Sequence, residues 1–112
     1  MKITDIINSK KAVLSFEVFP PKTDDKFESV SRAVDEIADL SPDFMSVTYG
    51  AGGGTSAYTV AISKHLKERG VTSVAHLSCI SSTRADVAEK LVQLKNAGIE
   101  NILALRGDIP KD

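Results

Sequence analysis

Short apolar runs alternate with longer amphipathic stretches along this chain. Residues 12–19, 43–49, 71–80 and 99–105 are mostly apolar and rich in residues that favour strands, which predicts four β-strands. The stretches between them place apolar residues three and four positions apart, as in Phe27, Val30 and Val34, which predicts helices. A short first helix is predicted over residues 1–7.

Helix boundaries are marked by capping residues and glycines. Thr23 is predicted to cap the helix that follows the first strand. That helix should end near Leu40. Thr83 and Asp86 have capping-box spacing at the start of a later helix, in which Val87, Leu91 and Leu94 are predicted to face inward. Two glycines follow helical stretches and are predicted to stop them in the left-handed conformation: Gly70 and Gly98.

The predicted strands end at intervals of about 30 residues, which is the size of one strand–helix unit. A βαβαβαβ series of apolar strands predicts an α/β fold with a parallel sheet covered by helices. Such a sheet is either a doubly wound open sheet or part of a (β/α)8 barrel, which needs about 250 residues. Because residues 110–112 come just after a strand, we expect the first half of a TIM-type barrel.

Composition narrows the classes of function. The chain has 112 residues and a formal net charge of −1, the profile of one globular unit, and its basic residues are interspersed with acids. This argues against a nucleic-acid or membrane-surface protein. Cys79 is the single cysteine, so neither a disulfide framework nor a zinc cluster is expected. Without a signal-peptide pattern, a cytoplasmic location is expected.

Each predicted strand carries an unusual polar residue in its carboxyl-terminal half or just beyond it. These residues are Glu17, Thr48, His76, and Arg106 with Asp108. In both parallel architectures the carboxyl ends of the strands form one rim, where ligands bind. The sequence therefore predicts a polar site at that rim.

Each of these residues also has a structural interpretation. Glu17 could form a salt bridge with Arg106, and His76 could be a core histidine with satisfied hydrogen bonds. The glycine-rich run at residues 50–54 matches neither a P-loop nor a dinucleotide fingerprint and is typical of a flexible loop. The coincidence of four polar strand ends at one rim favours a functional site.

Four ordered motifs resemble those of methylenetetrahydrofolate reductases. They are Ser-Phe-Glu-Val-Phe-Pro-Pro at 15–21, Ser-Val-Thr-Tyr-Gly-Ala-Gly-Gly at 46–53, Ala-His-Leu-Ser-Cys at 75–79 and Leu-Ala-Leu-Arg-Gly-Asp-Ile-Pro at 103–110. The resemblance covers nearly the whole chain but only roughly the first two-fifths of that family's catalytic barrel. Residues 1–112 would then form strands one to four of a single flavin-dependent barrel domain.

The resemblance implies a reduction of 5,10-methylenetetrahydrofolate to 5-methyltetrahydrofolate, a step of one-carbon and methionine metabolism. FAD would be the cofactor and NADH or NADPH the reductant, in a protein that is a homo-oligomer when full length. Glu17 would be the general acid that protonates the bridging nitrogen of the folate. The flanking Phe16, Val18 and Phe19 are expected to help keep its carboxyl group protonated.

The resemblance also assigns binding residues. Asp108 would lie near the flavin ring and the pterin and, with Glu17, would contact the folate, while Thr48 would also approach the nicotinamide. The positions that match flavin-lining residues are Thr48, Tyr49, Ala51, His76, Arg106, Gly107 and Asp108. Where many family members continue with Ser-Thr-Arg-Asp, this chain has Gly-Thr-Ser-Ala at 54–57.

Two expectations follow for the isolated chain. A half-barrel leaves two sheet edges open and lacks the second half of the flavin site, so catalysis by the chain alone is not expected. Alternatively, the half-barrel self-associates or docks on a partner as a non-catalytic binding or assembly module.

Overall fold

The computed structural model describes residues 1–9, 12–50 and 56–109. Helices and strands alternate through them, in agreement with the predicted series. In chain order the elements are α1 Ile3–Ser9, β1 Ser15–Val18, a 3-10 turn Asp24–Lys26, α2 Phe27–Ala38, β2 Phe44–Val47, α3 Ser56–Glu68, β3 Ser73–Ser78, α4 Arg84–Asn96 and β4 Asn101–Leu105. Each strand lies inside its predicted range and is shorter than that range.

The four strands form one parallel sheet in the order β1-β2-β3-β4. Glu17 is paired with Ser46 across β1 and β2, and His76 with Leu103 across β3 and β4. Side chains of residues paired in this way point to the same face of the sheet. One face therefore carries Glu17, Ser46, His76 and Leu103, and we call it the open face.

The opposite face is covered by helices and carries most of the apolar core. Met45 and Val47 of β2 and Ile62 and Leu66 of α3 are fully buried there. Val34 of α2 belongs to the same cluster. A second, smaller cluster lies under α4 and is built on buried residues of β3, of α4 and of the segment before β4: Ala75, Leu94 and Ile99.

The predicted helix ends are confirmed at three places. Gly70 and Gly98 have φ of 83° and 77°, so both end their helices in the left-handed region. The Thr83 hydroxyl accepts a hydrogen bond from the Asp86 backbone N–H, and the Asp86 carboxylate accepts one from the Thr83 N–H. These two bonds form the predicted capping box of α4.

Two predictions about the helices are wrong. Thr23 makes no capping hydrogen bond, because its hydroxyl donates to the Asp25 carboxylate instead and a 3-10 turn precedes α2. Leu91 is 41% exposed rather than buried, whereas Leu94 is buried as predicted. Within the described part of the chain α4 is the last helix, so no helix packs against its far side.

The amino-terminal helix is held to the opposite end of the sheet from the predicted site. The Asn101 side chain, on a residue that is 7% exposed, accepts a hydrogen bond from the Ile3 N–H at 2.9 Å and donates to the Met1 carbonyl at 2.9 Å. This contact covers the amino-terminal end of β4 and leaves the carboxyl ends of the strands accessible. Within the described ranges, none of the helices has the length and apolar character needed to cross a membrane.

The capping box predicts a measurable loss of stability. Thr83→Ala removes the acceptor for the Asp86 N–H and should lower the free energy of unfolding by about 1 kcal/mol, as measured by urea denaturation. Thr83→Ser keeps the hydroxyl and is the matched control, with stability close to that of the unchanged chain. Equal losses in both variants would contradict a capping role.

The same contact predicts a pH dependence. The Thr83 backbone N–H, with a smaller contribution from its hydroxyl, lowers the pKa of Asp86 below its ordinary value of 3.8. A lowered pKa means that the charged form stabilises the fold above pH 3.8 and that this stabilisation is lost as the pH falls through the lower, folded-state pKa. Thermal melts should therefore show Asp86→Asn less stable than the unchanged chain near pH 7, with the difference narrowing in acid.

Candidate functional site

The Glu17 carboxylate lies on the open face, near the carboxyl end of β1. The Ser46 hydroxyl on β2 donates a hydrogen bond to Glu17 Oε1 at 3.1 Å. His76 Nε2 on β3 lies 3.4 Å from the same oxygen. Three neighbouring strands thus bring an acid, a hydroxyl and an imidazole together, and we call Glu17, Ser46 and His76 the acid cluster.

His76 is the most enclosed member of the acid cluster. It is 9% exposed, and its Nε2 is buried without a hydrogen-bond partner among the described residues. The distance to Glu17 permits an ion pair when the imidazole is protonated, but the two groups are not aligned for a hydrogen bond. The interpretation of His76 as a fully satisfied core histidine is therefore wrong, because its buried Nε2 makes no hydrogen bond with the described residues.

The surroundings of Glu17 differ from the sequence expectation. Phe16 and Val18 pack into the helix-covered core, on the other face of the sheet, and so do not flank the carboxylate in space. The Glu17 side chain is 51% exposed. The expected apolar surround is wrong: Phe16 and Val18 are adjacent to Glu17 in the strand and so point to the opposite face, and Phe19 is 71% exposed.

The alternative salt bridge between Glu17 and Arg106 is also not formed in the described structure. Glu17 contacts Ser46 and His76. The Arg106 Nε instead donates to the Gly107 carbonyl at 3.1 Å. A purely structural role for Glu17 as an ion-pair partner of Arg106 is therefore wrong.

A groove of ≈ 390 Å³ lies at the carboxyl ends of β2, β3 and β4, and no residue of the acid cluster lines it. Its walls combine apolar side chains, hydroxyls and two charged residues. The lining residues are Tyr49, Gly50, Ser78, Ile80, Ser81, Ser82, Leu105, Arg106, Gly107 and Asp108. Its size and mixed lining are typical of a small-molecule site.

Backbone contacts between β3 and β4 shape the groove. The Cys79 N–H donates to the Leu105 carbonyl at 3.1 Å, and the Ile80 N–H donates to the Arg106 carbonyl at 2.9 Å. Gly107 then turns with φ of 89°, and a Cβ added there would lie 1.9 Å from Ser78 Oγ. The turn after β4 therefore passes so close to β3 that only glycine fits.

Thr48 is fixed at the end of β2 by its backbone. Its N–H donates to the Val18 carbonyl at 3.0 Å, and its carbonyl accepts a hydrogen bond from Thr59 Oγ1 at 2.8 Å. Thr59 is 1% exposed and belongs to α3. Helix α3 therefore sets the position at which the chain leaves β2 for the glycine-rich run.

A second contact joins the loop after β1 to the start of α3. The Tyr58 hydroxyl donates to the Asp24 carboxylate, and the Tyr58 ring lies 6.0 Å from the Phe27 ring. The hydrogen bond to Asp24 is the main cause that raises the pKa of Tyr58 above its usual value. The segment that follows β1 is thereby joined to the first turn of α3.

The structure divides the predicted site residues into two groups. Glu17 and His76 belong to the acid cluster, and the groove is lined by Tyr49, Arg106, Gly107 and Asp108. Thr48 lies at the rim on β2 but lines neither the groove nor the acid cluster. Ala51 lies outside the described residues, so its predicted role stays a prediction.

Several site residues were missed by sequence reasoning. They are Ser46 in the acid cluster and Ser78, Ile80, Ser81 and Ser82 in the groove. The signal for the last three was their position directly after β3, where the chain leaves the strand at the rim. Ser46 gave no signal alone, because its relation to Glu17 depends on the register of β1 and β2.

The fold and the rim together define a class of protein. Parallel strand–helix units that gather polar side chains and a groove at their carboxyl ends are typical of α/β enzymes and binding proteins. The family model described as Methylenetetrahydrofolate reductase matches residues 2–112. The chain belongs to this family, and its four units form part of the family's TIM barrel, which confirms the predicted fold class.

Curated relatives agree with this assignment. The chain is 42% identical over 100 residues to a 5,10-methylenetetrahydrofolate reductase of Pectobacterium carotovorum, covering 88% of this chain and 34% of the relative. The chain is 40% identical over 98 residues to the Escherichia coli protein of that name, and the match covers 87% of this chain and 33% of the relative. Methylenetetrahydrofolate reductase (NADH) 1 of Arabidopsis thaliana is 34% identical over 110 residues, with 97% and 19% covered. The chain thus spans about a third of the length of these bacterial relatives.

Gly107 provides a test of the groove geometry. Gly107→Ala should destabilise the chain more than Gly70→Ala, because both residues have positive φ but an added Cβ at Gly70 meets nothing within 4 Å. Placing an alanine at positive φ costs about 1–2 kcal/mol of stability at either position. The clash of the added Cβ with Ser78 Oγ lowers the stability further only at Gly107. Urea denaturation of both variants measures the difference. Equal losses would show that the turn can move away from β3.

Proposed function

We propose that this chain provides the first four strand–helix units of a flavin-dependent reductase. The enzyme converts 5,10-methylenetetrahydrofolate to 5-methyltetrahydrofolate and uses NADH or NADPH as the electron source. The observation that carries the proposal is that the Glu17 carboxylate lies near the carboxyl end of β1, on the sheet whose other strands end at the groove. The family assignment supplies the substrate class, and the name of the Arabidopsis relative supports a nicotinamide reductant.

In this proposal Glu17 is the general acid. The substrate's methylene carbon is bonded to two nitrogens, and hydride cannot add until one of those bonds breaks. A proton from Glu17 to the bridging nitrogen lets that carbon–nitrogen bond break, with its electron pair going to nitrogen. The remaining iminium carbon accepts a hydride and becomes the methyl group. One proton and one hydride are consumed for each product formed.

The residues present fit the ring end of a flavin. The groove has apolar walls from Ile80 and Leu105, and Arg106 and Asp108 add charged groups to its lining. FAD, when bound, supplies the hydride transfer between nicotinamide and folate. The protein's part is to bind and orient both molecules and to deliver the proton.

Roles for the groove residues follow from their positions. Asp108 and Arg106 bring a carboxylate and a guanidinium to the turn after β4, where they would contact polar edges of the flavin and the pterin. Tyr49 and Gly107 line the same groove and would contact the ring. Thr48, fixed by backbone bonds on both sides, would approach the flavin and the nicotinamide from β2.

A second candidate function is favoured by the apolar side chains of β4. Leu103 and Leu105 are 44% and 38% exposed on the open face of an edge strand. Exposed apolar side chains on an unpaired strand edge are a site for association. In this proposal two copies of the chain associate through β4, and the product is a binding or assembly module without catalytic activity.

The acid role of Glu17 is tested in a full-length reductase that contains this segment. Glu17→Gln keeps the shape of the side chain but removes the transferable proton, so reduction of the folate should fall by about 10²–10⁴-fold. Reduction of the flavin by NADH or NADPH needs no such proton and should be retained. Rapid-mixing absorbance measurements follow the two half-reactions separately.

Loss of both half-reactions together would contradict this assignment, because it would mean that Glu17 supports the structure. Glu36→Gln, on α2, is a matched control that makes the same chemical change away from the rim. It should leave both half-reactions unchanged.

Self-association is tested with the 112-residue chain alone. Sedimentation velocity should show a concentration-dependent dimer, and Leu103→Lys should shift it to the monomer because a charge at an apolar contact is costly to bury. Val92→Lys is the control, since Val92 is 56% exposed on α4 and outside the strand edge. A monomer at every concentration would exclude the second candidate.

A further inference from the structure

We propose that Ser46 is a positioning residue for Glu17, which goes one step beyond the proposed function and depends on it. The Ser46 hydroxyl holds one oxygen of the Glu17 carboxyl group, so that the other oxygen carries the proton for the folate. The inference rests on the observation that both polar contacts of the Glu17 carboxylate are made with the same oxygen atom.

The two contacts of the carboxylate converge on a single atom. Ser46 Oγ lies 3.1 Å from Glu17 Oε1, and His76 Nε2 approaches the same oxygen at 3.4 Å. Among the described residues no hydrogen bond or ion pair is made with Oε2. The carboxyl group is therefore held at one oxygen, and the other is open to a ligand on the open face.

This arrangement suits both protonation states of the acid. In the protonated acid, Oε1 is the carbonyl oxygen and accepts the Ser46 hydrogen bond, while Oε2 carries the proton. When the proton leaves, the Oε2–H bond breaks and a nitrogen–hydrogen bond forms on the folate. Glu17 becomes a carboxylate, which accepts the same Ser46 hydrogen bond more strongly. The orientation of the side chain is thus kept through the step.

The strand pairing explains why Ser46 can do this. Ser46 is the direct partner of Glu17 in the parallel register of β1 and β2, so its side chain emerges beside that of Glu17. The backbones of both residues are held in the sheet. A free glutamate side chain rotates among several rotamers, and a hydrogen bond from a fixed neighbour selects one of them.

The test uses two variants of the full-length reductase that have nearly the same shape. Ser46→Thr keeps the hydroxyl, and Ser46→Val replaces it with a methyl group, while both residues favour strands. The Val variant should reduce the folate about tenfold more slowly than the Thr variant, in kcat and in kcat/KM alike. Reduction of the flavin by nicotinamide should be the same in both. Ser29→Ala removes a serine hydroxyl bonded to the Lys26 carbonyl at 3.0 Å on α2 and is the distant control.

The outcomes separate this inference from the proposed function. Equal folate reduction in the Thr and Val variants would overturn the role of Ser46, and so would an equal loss of both half-reactions in the Val variant. The proposed function is tested by Glu17→Gln. If that variant keeps folate reduction, the acid assignment fails. If it loses folate reduction while the Ser46→Thr and Ser46→Val variants reduce the folate at equal rates, the acid assignment stands and only the positioning role of Ser46 is rejected.

Discussion

The parallel pairing of four strands in sequence order is the constraint on which the rest of the structure depends. Each helix returns the chain to the amino-terminal end of the sheet, so every strand runs in the same direction and every strand ends at the same edge. Residues almost 60 positions apart, such as Glu17 and His76, come within 3.4 Å for this reason. The site exists because the connections repeat, and no single loop creates it.

The same pairing gives the sheet two unequal faces. The helix-covered face holds Met45, Val47, Ile62 and Leu66 in a dry core, and this burial is the main source of stability. The open face carries Glu17, Ser46 and His76 and is free of that packing requirement. Polar side chains that would be costly in the core are tolerated there, so one face stabilises the fold while the other can carry a polar site.

Sequence patterns predicted the elements, their order and the rim, because periodicity, glycine stops and the Thr83–Asp86 box are local signals. They failed where the outcome depends on non-local partners. Leu91 is 41% exposed because its burial depends on packing against other elements, which its spacing within α4 does not determine. Thr23 is a different case, since its hydroxyl has a competing local acceptor, the Asp25 carboxylate two residues on. The contact between Ser46 and Glu17 could not be predicted either, since it depends on the register between β1 and β2.

The exposure of Glu17 indicates what the acid still requires. A carboxylic acid keeps its proton near neutral pH where burial disfavours the charged form. On the open face the Glu17 side chain is 51% exposed, and its apolar sequence neighbours Phe16 and Val18 lie on the other face. The Ser46 hydrogen bond to Glu17 lies within the first two strands, whereas the proposed acid role also requires groups that cover the open face. In the proposed function, orientation and desolvation of this side chain therefore have separate structural sources: the register of β1 and β2 for the first, and cover over the open face for the second.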